Sequence, residues 1–154
     1  MAINLADELS ESAIITNAPA TDWRSALTFA GEALVASGVT TAAYTAEMIA
    51  AVEELGPYIV IAPGLALAHS RPSPAVLRAG LSWVSLQTPI EFGHAVNDPV
   101  SLVIGLAAPD HESHIEVMSA LAGVLADDDR MKELAAADTP ARVRGLLASY
   151  ADGA

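Results

Sequence analysis

Ile61-Ala62-Pro63-Gly64-Leu65-Ala66-Leu67-Ala68-His69-Ser70-Arg71-Pro72 carries a short apolar run into a loop of serine, arginine and proline. Pro63-Gly64 and the prolines after Arg71 are turn formers, so the run between them reads as a strand. A single histidine sits just past its end. Imidazole is the only side chain whose unperturbed pKa lies near neutral pH, so a histidine at a strand exit is suited to act as base, nucleophile or ligand.

On either side of this segment, Tyr58–Ile61, Ala79–Leu86 and Val100–Leu106 are further short runs bounded by Pro, Gly, Asn and Asp, and they read as strands. Ala79–Leu86 alternates in part, whereas Val100–Leu106 is almost wholly apolar, as a central strand would be. Upstream the period changes to 3.6 residues. Thr21-Asp22 opens a helix with Trp23, Ala26, Leu27, Ala30, Leu34 and Val35 on one side, ended by Ser37-Gly38. Thr40-Thr41 opens a second, carrying Tyr44, Met48, Ile49 and Val52 to a stop at Gly56-Pro57. Downstream, Pro109-Asp110 starts a helix with Ile115, Met118, Leu121, Ala122 and Leu125 on one face, running to Asp127-Asp128-Asp129. A short helix Arg130–Ala137 comes next, then one opened by Thr139-Pro140, where proline at the first helical position loses no hydrogen bond. Only Ala151–Ala154 reads as frayed. The order helices, strands, helices predicts a single α/β domain over residues 1–154, a mixed sheet flanked by helices on both sides.

Composition narrows the function classes. Over 154 residues the chain is 53% hydrophobic and 17% charged, which suits a packed globule. Mean hydropathy is positive, yet no unbroken apolar stretch reaches the roughly 18–20 residues that span a membrane. Met1–Ser10 lacks a basic start and carries Asp7 and Glu8, so no signal peptide is read there. Cysteine is absent, which removes thiol nucleophiles, disulfides and Cys-based zinc sites and fits a cytoplasmic protein. Nineteen acidic against seven basic residues give a net charge of −12, a field that repels nucleic acid and anionic lipid and favours a basic protein partner.

The four histidines divide by context. His69 is either a surface-loop residue or a reactive group beside a central strand, where small-molecule and phosphate chemistry gathers in α/β folds. His111 and His114 stand three apart, at the start of the helix after Val100–Ala108, and so share a face. A helix N-terminus offers free N–H groups that suit a phosphate. A metal site built from His69, His111 and His114 is one residue short of the spacing in H-E-x-x-H and lacks a fourth ligand. His94, in Glu91-Phe92-Gly93-His94, belongs to a turn between strands and reads as structural or solvated. Arg71, beside His69, could hold a phosphate with its planar fork, although an ion pair with an acidic neighbour is the commoner fate. Gly64 and Gly80 lie too far apart to form a phosphate loop.

Gly56-Pro57-Tyr58-Ile59-Val60-Ile61-Ala62-Pro63-Gly64-Leu65-Ala66-Leu67 leading to His69, then Glu91-Phe92-Gly93, Asn97-Asp98-Pro99-Val100, Ala107-Ala108-Pro109-Asp110-His111 and His114-Ile115-Glu116, occur in one order. Together they resemble the enzyme IIA component of the sugar phosphotransferase system, in its mannitol/fructose superfamily and its ascorbate-type branch. The likeness covers about residues 23–147. It implies a mixed sheet flanked by helices and a phosphotransferase cycle that needs no cofactor and no metal. His69 falls on the phosphorylated histidine, which accepts from the phosphocarrier protein HPr and passes the group to a cognate enzyme IIB. The system would take up a sugar or sugar acid, ascorbate-like by the branch. His114 falls on the second active-site histidine, and His111 and Arg71 are shared mainly with the ascorbate-type pattern; by their chemistry Arg71, Ser70 and His111 are candidates to stabilise the phosphate. Leu65, Leu67 and Pro72 are expected to form an apolar rim around His69. Ala68 stands where the family usually has proline, and Ser70 where the branch often has alanine. A free-standing regulatory module on the same fold is the alternative, and the apolar composition leaves room for a homodimer.

Overall fold

A computed structural model describes residues 5–152 of the chain. Helix α1 (Leu5–Glu8) and a 3₁₀ turn (Glu11–Ala13) lead into strand β1 (Ile14–Ala18), followed by α2 (Trp23–Ala36) and α3 (Ala42–Leu55). Strands β2 (Val60–Ala62), β3 (Leu65–His69), β4 (Gly80–Ile90) and β5 (Val100–Ala107) come next, then α4 (His111–Leu125), α5 (Asp128–Ala136) and α6 (Pro140–Asp152). The five strands form one sheet in the order β1-β4-β5-β3-β2. β1 is parallel to β4 and β3 parallel to β5, while β4–β5 and β2–β3 are antiparallel. The expected mixed α/β sheet is therefore present.

Side chains alternate across a strand, and here both faces are covered. Ala66, Ala68, Val84, Val103 and Ala107 pack with α2 and α3 residues such as Leu27, Leu34 and Met48. Leu65, Leu67, Trp83, Ile104 and Leu106 pack on the other side with Val117, Leu121, Val143 and Leu147. Small residues face α2 and α3 and large ones face α4 and α6, so the first helical pair lies close to the sheet. Gly105 shows how close. A Cβ there would meet the Ser82 hydroxyl and lie 3.4 Å from Leu34 Cδ1, and Ser82 is fully buried. Gly105→Ala is expected to cost about 1–3 kcal/mol through overpacking. Thermal unfolding would register it as a fall of about 2–4 °C per kcal/mol.

Acidic caps set three helix starts. Asp22 accepts from Ser25 N at 2.8 Å while Ser25 Oγ accepts from Asp22 N at 3.1 Å, a reciprocal capping box. Asp110 and Asp127 cap α4 and α5 in the same sense. Thr41 precedes α3 without a side-chain cap bond; its N–H instead donates to Ala75 O at 2.8 Å.

Several expectations need correction. The chain does not begin with helices alone: β1 precedes α2 and pairs with β4. β2 starts at Val60 rather than Tyr58, because the Gly56-Pro57 turn continues through Tyr58 N–H···O Gly56 and Val60 N–H···O Pro57. β4 extends to Ile90. The sheet-facing stripe of α4 is Val117, Leu121 and Val124, whereas Ile115 is 49% exposed and Ala122 is exposed. Helix α6 runs through Asp152, so the chain is still helical at Ala151; Gly153 and Ala154 lie outside the described residues, as do Met1–Asn4 of the segment read for a signal peptide.

Candidate functional site

Parallel β3 and β5 are neighbours, so they end on the same side of the sheet. His69 is the last residue of β3 and registers with Leu106; α4 begins four residues after β5 ends. That topology alone brings the strand-exit histidine to the helix carrying His111 and His114, at the kind of sheet edge where ligands bind in α/β folds. A cleft of about 640 Å³ opens there. His69, Ser70, Arg71 and Pro72 line one side, His111 and His114 another, and α3 supplies a wall of Glu47, Ala50, Ala51, Glu54 and Leu55. Tyr58 completes it.

The half-buried His69 ring is held by a contact of 2.7 Å between Nδ1 and Leu67 O. A carbonyl only accepts, so Nδ1 carries the hydrogen and Nε2 keeps its lone pair. The ring stands edge-on to Tyr58, centroids 5.4 Å apart at 75°, and faces His114 at 5.9 Å and 50°. Burial lowers the pKa of His114 below the ordinary imidazole value, and positive charge on His69 and His111 lowers it further. His114 is therefore neutral at pH 7.

Around this pair the field is mixed. Arg71 is exposed and makes no ion pair among the described residues, leaving its guanidinium free beside the cleft. Its charge opposes the upward push that burial gives the Tyr58 phenol. The N-terminus of α4 contributes less than its position suggests. Asp110 accepts the Ser113 N–H at 2.7 Å, and its bonds with Ser113 hold its carboxyl below the usual range. That amide is not free for an anion, and the side chains by which α4 lines the cleft are His111 and His114.

Leu65 and Leu67 do not form the rim. They are 2% and 3% exposed and point into the core on the α4–α6 side, because both faces of β3 are covered. The apolar rim comes instead from Ala50, Ala51, Leu55 and Tyr58, with Pro72. His94 lies away from the cleft. Its Nδ1 accepts the N–H groups of Val96 and Asn97 at 3.2 and 3.0 Å, while Asp98 accepts those of Phe92, Gly93 and His94. The loop thus braces itself, and Asn97 O in turn accepts Gly64 N–H at 2.9 Å, fixing the turn that feeds β3. Among the described residues no group of three or more His, Asp or Glu side chains is arranged to hold a metal ion, which counts against the three-imidazole reading.

Sequence alone does not mark Tyr44 and Tyr58 as site residues. Tyr44 fits the buried face of α3, where it is 1% exposed. A buried phenol needs a partner for its hydroxyl, and that requirement is the one signal that could have found it.

Comparison with known proteins shows the family and the fold. Residues 8–150 match the family described as phosphoenolpyruvate-dependent sugar phosphotransferase system, EIIA 2. The chain is 37% identical over 147 residues to the ascorbate-specific PTS system EIIA component of Escherichia coli K12, covering 94% of this chain and 96% of that one. The solution structure of the mannitol-specific cryptic phosphotransferase enzyme IIA CmtB from E. coli superposes with a TM-score of 0.83 at 28% identity, over 96% of this chain and 99% of that one. In the complex of E. coli enzyme IIA for mannitol with phosphorylated enzyme IIB, the matching chain gives a TM-score of 0.78 at 29% identity, over 91% and 96% of the two chains. A family match over residues 8–150 and a 37% identical relative covering 94% of the chain decide it: the protein belongs to the EIIA 2 family of the phosphoenolpyruvate-dependent sugar phosphotransferase system and is a phosphotransferase.

Proposed function

We propose that this protein carries its phosphoryl group on His69 Nε2, taking it from phospho-HPr and passing it to a cognate enzyme IIB in the cytoplasm, in a system for a sugar acid of the ascorbate type. The observation that carries the reading is the 2.7 Å contact of Nδ1 with Leu67 O, which leaves the opposite nitrogen as the lone pair on the open side of the ring. In the first step the N–P bond of the donor phosphohistidine breaks as the Nε2–P bond forms, and Nδ1 keeps its hydrogen throughout. In the second, Nε2–P breaks as the phosphoryl group bonds to the accepting side chain of enzyme IIB. Arg71, His111 and His114 line the cleft with His69, as does Ser70, and would spread the negative charge; positioning and charge stabilisation do most of the work in such transfers.

Partner and substrate class rest on likeness. The matching mannitol chain is seen assembled with phosphorylated enzyme IIB, and the 37% identical relative bears the name ascorbate-specific. Among the described residues no helix is long and apolar enough to cross a membrane, which accords with a carrier that meets its membrane component through enzyme IIB.

Incubation of the purified protein with enzyme I, HPr and phosphoenolpyruvate is expected to add one acid-labile phosphoryl group, mapped by mass spectrometry to the peptide containing His69. Absence of the added group, with HPr shown to be phosphorylated, would sink the assignment.

A further inference from the structure

Strand β3 stops at His69, and beyond it the sheet no longer fixes the chain. The next stretch, Ser70 to Ser73, is a loop without regular structure. The N-terminal side of the histidine is secure: Leu67 N–H donates to Ile59 O at 2.8 Å, and Ala68 is fully buried in register with Gly105. The C-terminal side depends on two phenols brought by one helix and its exit turn.

Tyr44, in the first turn of α3, accepts the Ser70 N–H at 2.9 Å and lies 2.9 Å from Leu106 O, to which it donates. A phenol has one proton, so donation to the buried Leu106 carbonyl leaves the Ser70 carbonyl, at 3.1 Å, as a second acceptor within reach. The chain Leu106 O···H–Oη···H–N Ser70 spans β5 and the residue after β3, and so extends the ladder by one side-chain link where the backbone link ends. Burial drives the Tyr44 pKa up to about 12, so the proton for that link stays in place. Tyr58, three residues past α3, donates to His69 O at 3.3 Å and sets its ring edge-on to the imidazole.

We propose that Tyr44 and Tyr58 are positioning residues for phosphoryl transfer, clamping the His69–Ser70 peptide by its N–H and its carbonyl so that Nε2 stays aimed into the cleft. Neither touches the transferred group in this role. They fix the residue that does, Tyr44 from the first turn of α3 and Tyr58 from the turn after its last residue. The clamp presupposes His69 as the acceptor. It goes beyond that assignment by giving the restraint of the strand exit to two hydroxyls that the transfer chemistry itself does not require.

The test pairs Tyr44→Phe with Tyr58→Phe, each of which keeps the ring and removes the hydroxyl. In single-turnover reactions with phospho-HPr, the maximal transfer rate is expected to fall by about ten- to a hundredfold, the scale of a small misplacement of a reacting atom. For Tyr44→Phe the donor concentration at half-maximal rate should barely move, since Tyr44 is buried and does not line the cleft. Nitrogen-15 NMR of the unphosphorylated variants supplies an independent readout: the His69 ring, mostly Nδ1–H in the wild type, should shift toward a mixture of tautomers. Because Tyr58 is 40% exposed, its variant is expected to fold even if Tyr44→Phe does not. Wild-type rates and an unmoved His69 tautomer in a folded Tyr58→Phe protein would overturn the clamp. Failure of the wild type to accept a phosphoryl group would instead overturn the acceptor assignment and with it the clamp's part in transfer, and a tautomer still responsive to the variants would keep only the restraint on the His69 ring.

Discussion

His69→Ala is expected to lose all phosphoryl acceptance from phospho-HPr while remaining folded. The first half follows from what an acceptor needs: a free lone pair on one nitrogen and a fixed hydrogen on the other. His69 has both, because Leu67 O pins its Nδ1. His111 and His114 share the cleft but cannot stand in. Neither imidazole is pinned by a hydrogen bond among the described residues, so neither presents one nitrogen in a set direction. The His114 ring centre lies 5.9 Å from that of His69, too far to take a donor positioned for the latter. The second half follows from placement. His69 is half-buried at the end of β3, so alanine removes one side-chain hydrogen bond and an edge contact, worth about 1 kcal/mol or slightly more. Intact-mass analysis after incubation with enzyme I, HPr and phosphoenolpyruvate reads the first outcome, and a thermal melt the second. An acid-labile phosphoryl group on a folded His69→Ala protein would mean that another imidazole is the acceptor.

The strand that delivers His69 was legible because its signals are local. Turn formers flank it, its residues before His69 are all apolar, and the helix after β5 opens with an acidic cap. β1 was not legible for the opposite reason. Ile14–Ala18 holds Thr16 and Asn17 in five residues, and Asn17 takes a positive φ of 59°, so neither alternation nor an unbroken apolar run marks it. Its identity comes from pairing with β4, nearly seventy residues away. The misplaced rim has a similar source. An apolar residue beside a reactive histidine looks the same in sequence whether it faces solvent or a second helical layer, and only the α4–α6 side of the sheet decides that Leu65 and Leu67 are core. The stripe of α4 was ambiguous because Ile115 and Ala122 fit a 3.6-residue period as well as Val117 and Val124 do. Reactive groups, being chemically rare, could be found one by one. The groups that orient them are common residues whose role appears only when the chain has folded.

His114→Gln is expected to slow transfer by about a hundred- to a thousandfold, the effect of losing one well-placed charge-stabilising donor, and to change how the transfer equilibrium depends on pH. In the unphosphorylated protein burial and the neighbouring imidazoles hold the His114 pKa below its ordinary value, so near pH 7 the ring is neutral. A phosphoryl group on His69 brings negative charge to within reach of that ring. Opposite charge favours the imidazolium, so the pKa of His114 must rise when His69 is phosphorylated. Between the lower value of the free form and the higher value of the phospho form, the phospho form binds the extra proton. Lower pH therefore favours phosphorylation across that window. Above it His114 is neutral in both forms and the coupling is absent; below it the ring is charged in both, and the coupling is full and no longer varies with pH. The titrations of HPr and of the phosphoryl group itself are common to wild type and variant, so they cancel when the two equilibrium constants are divided. That ratio should increase as pH falls through the window and level off on either side, and an NMR titration of the His114 ring should place the window independently. A ratio flat with pH, with His114 titrating at one value in both forms, would remove the second imidazole from any part in holding the phosphoryl group.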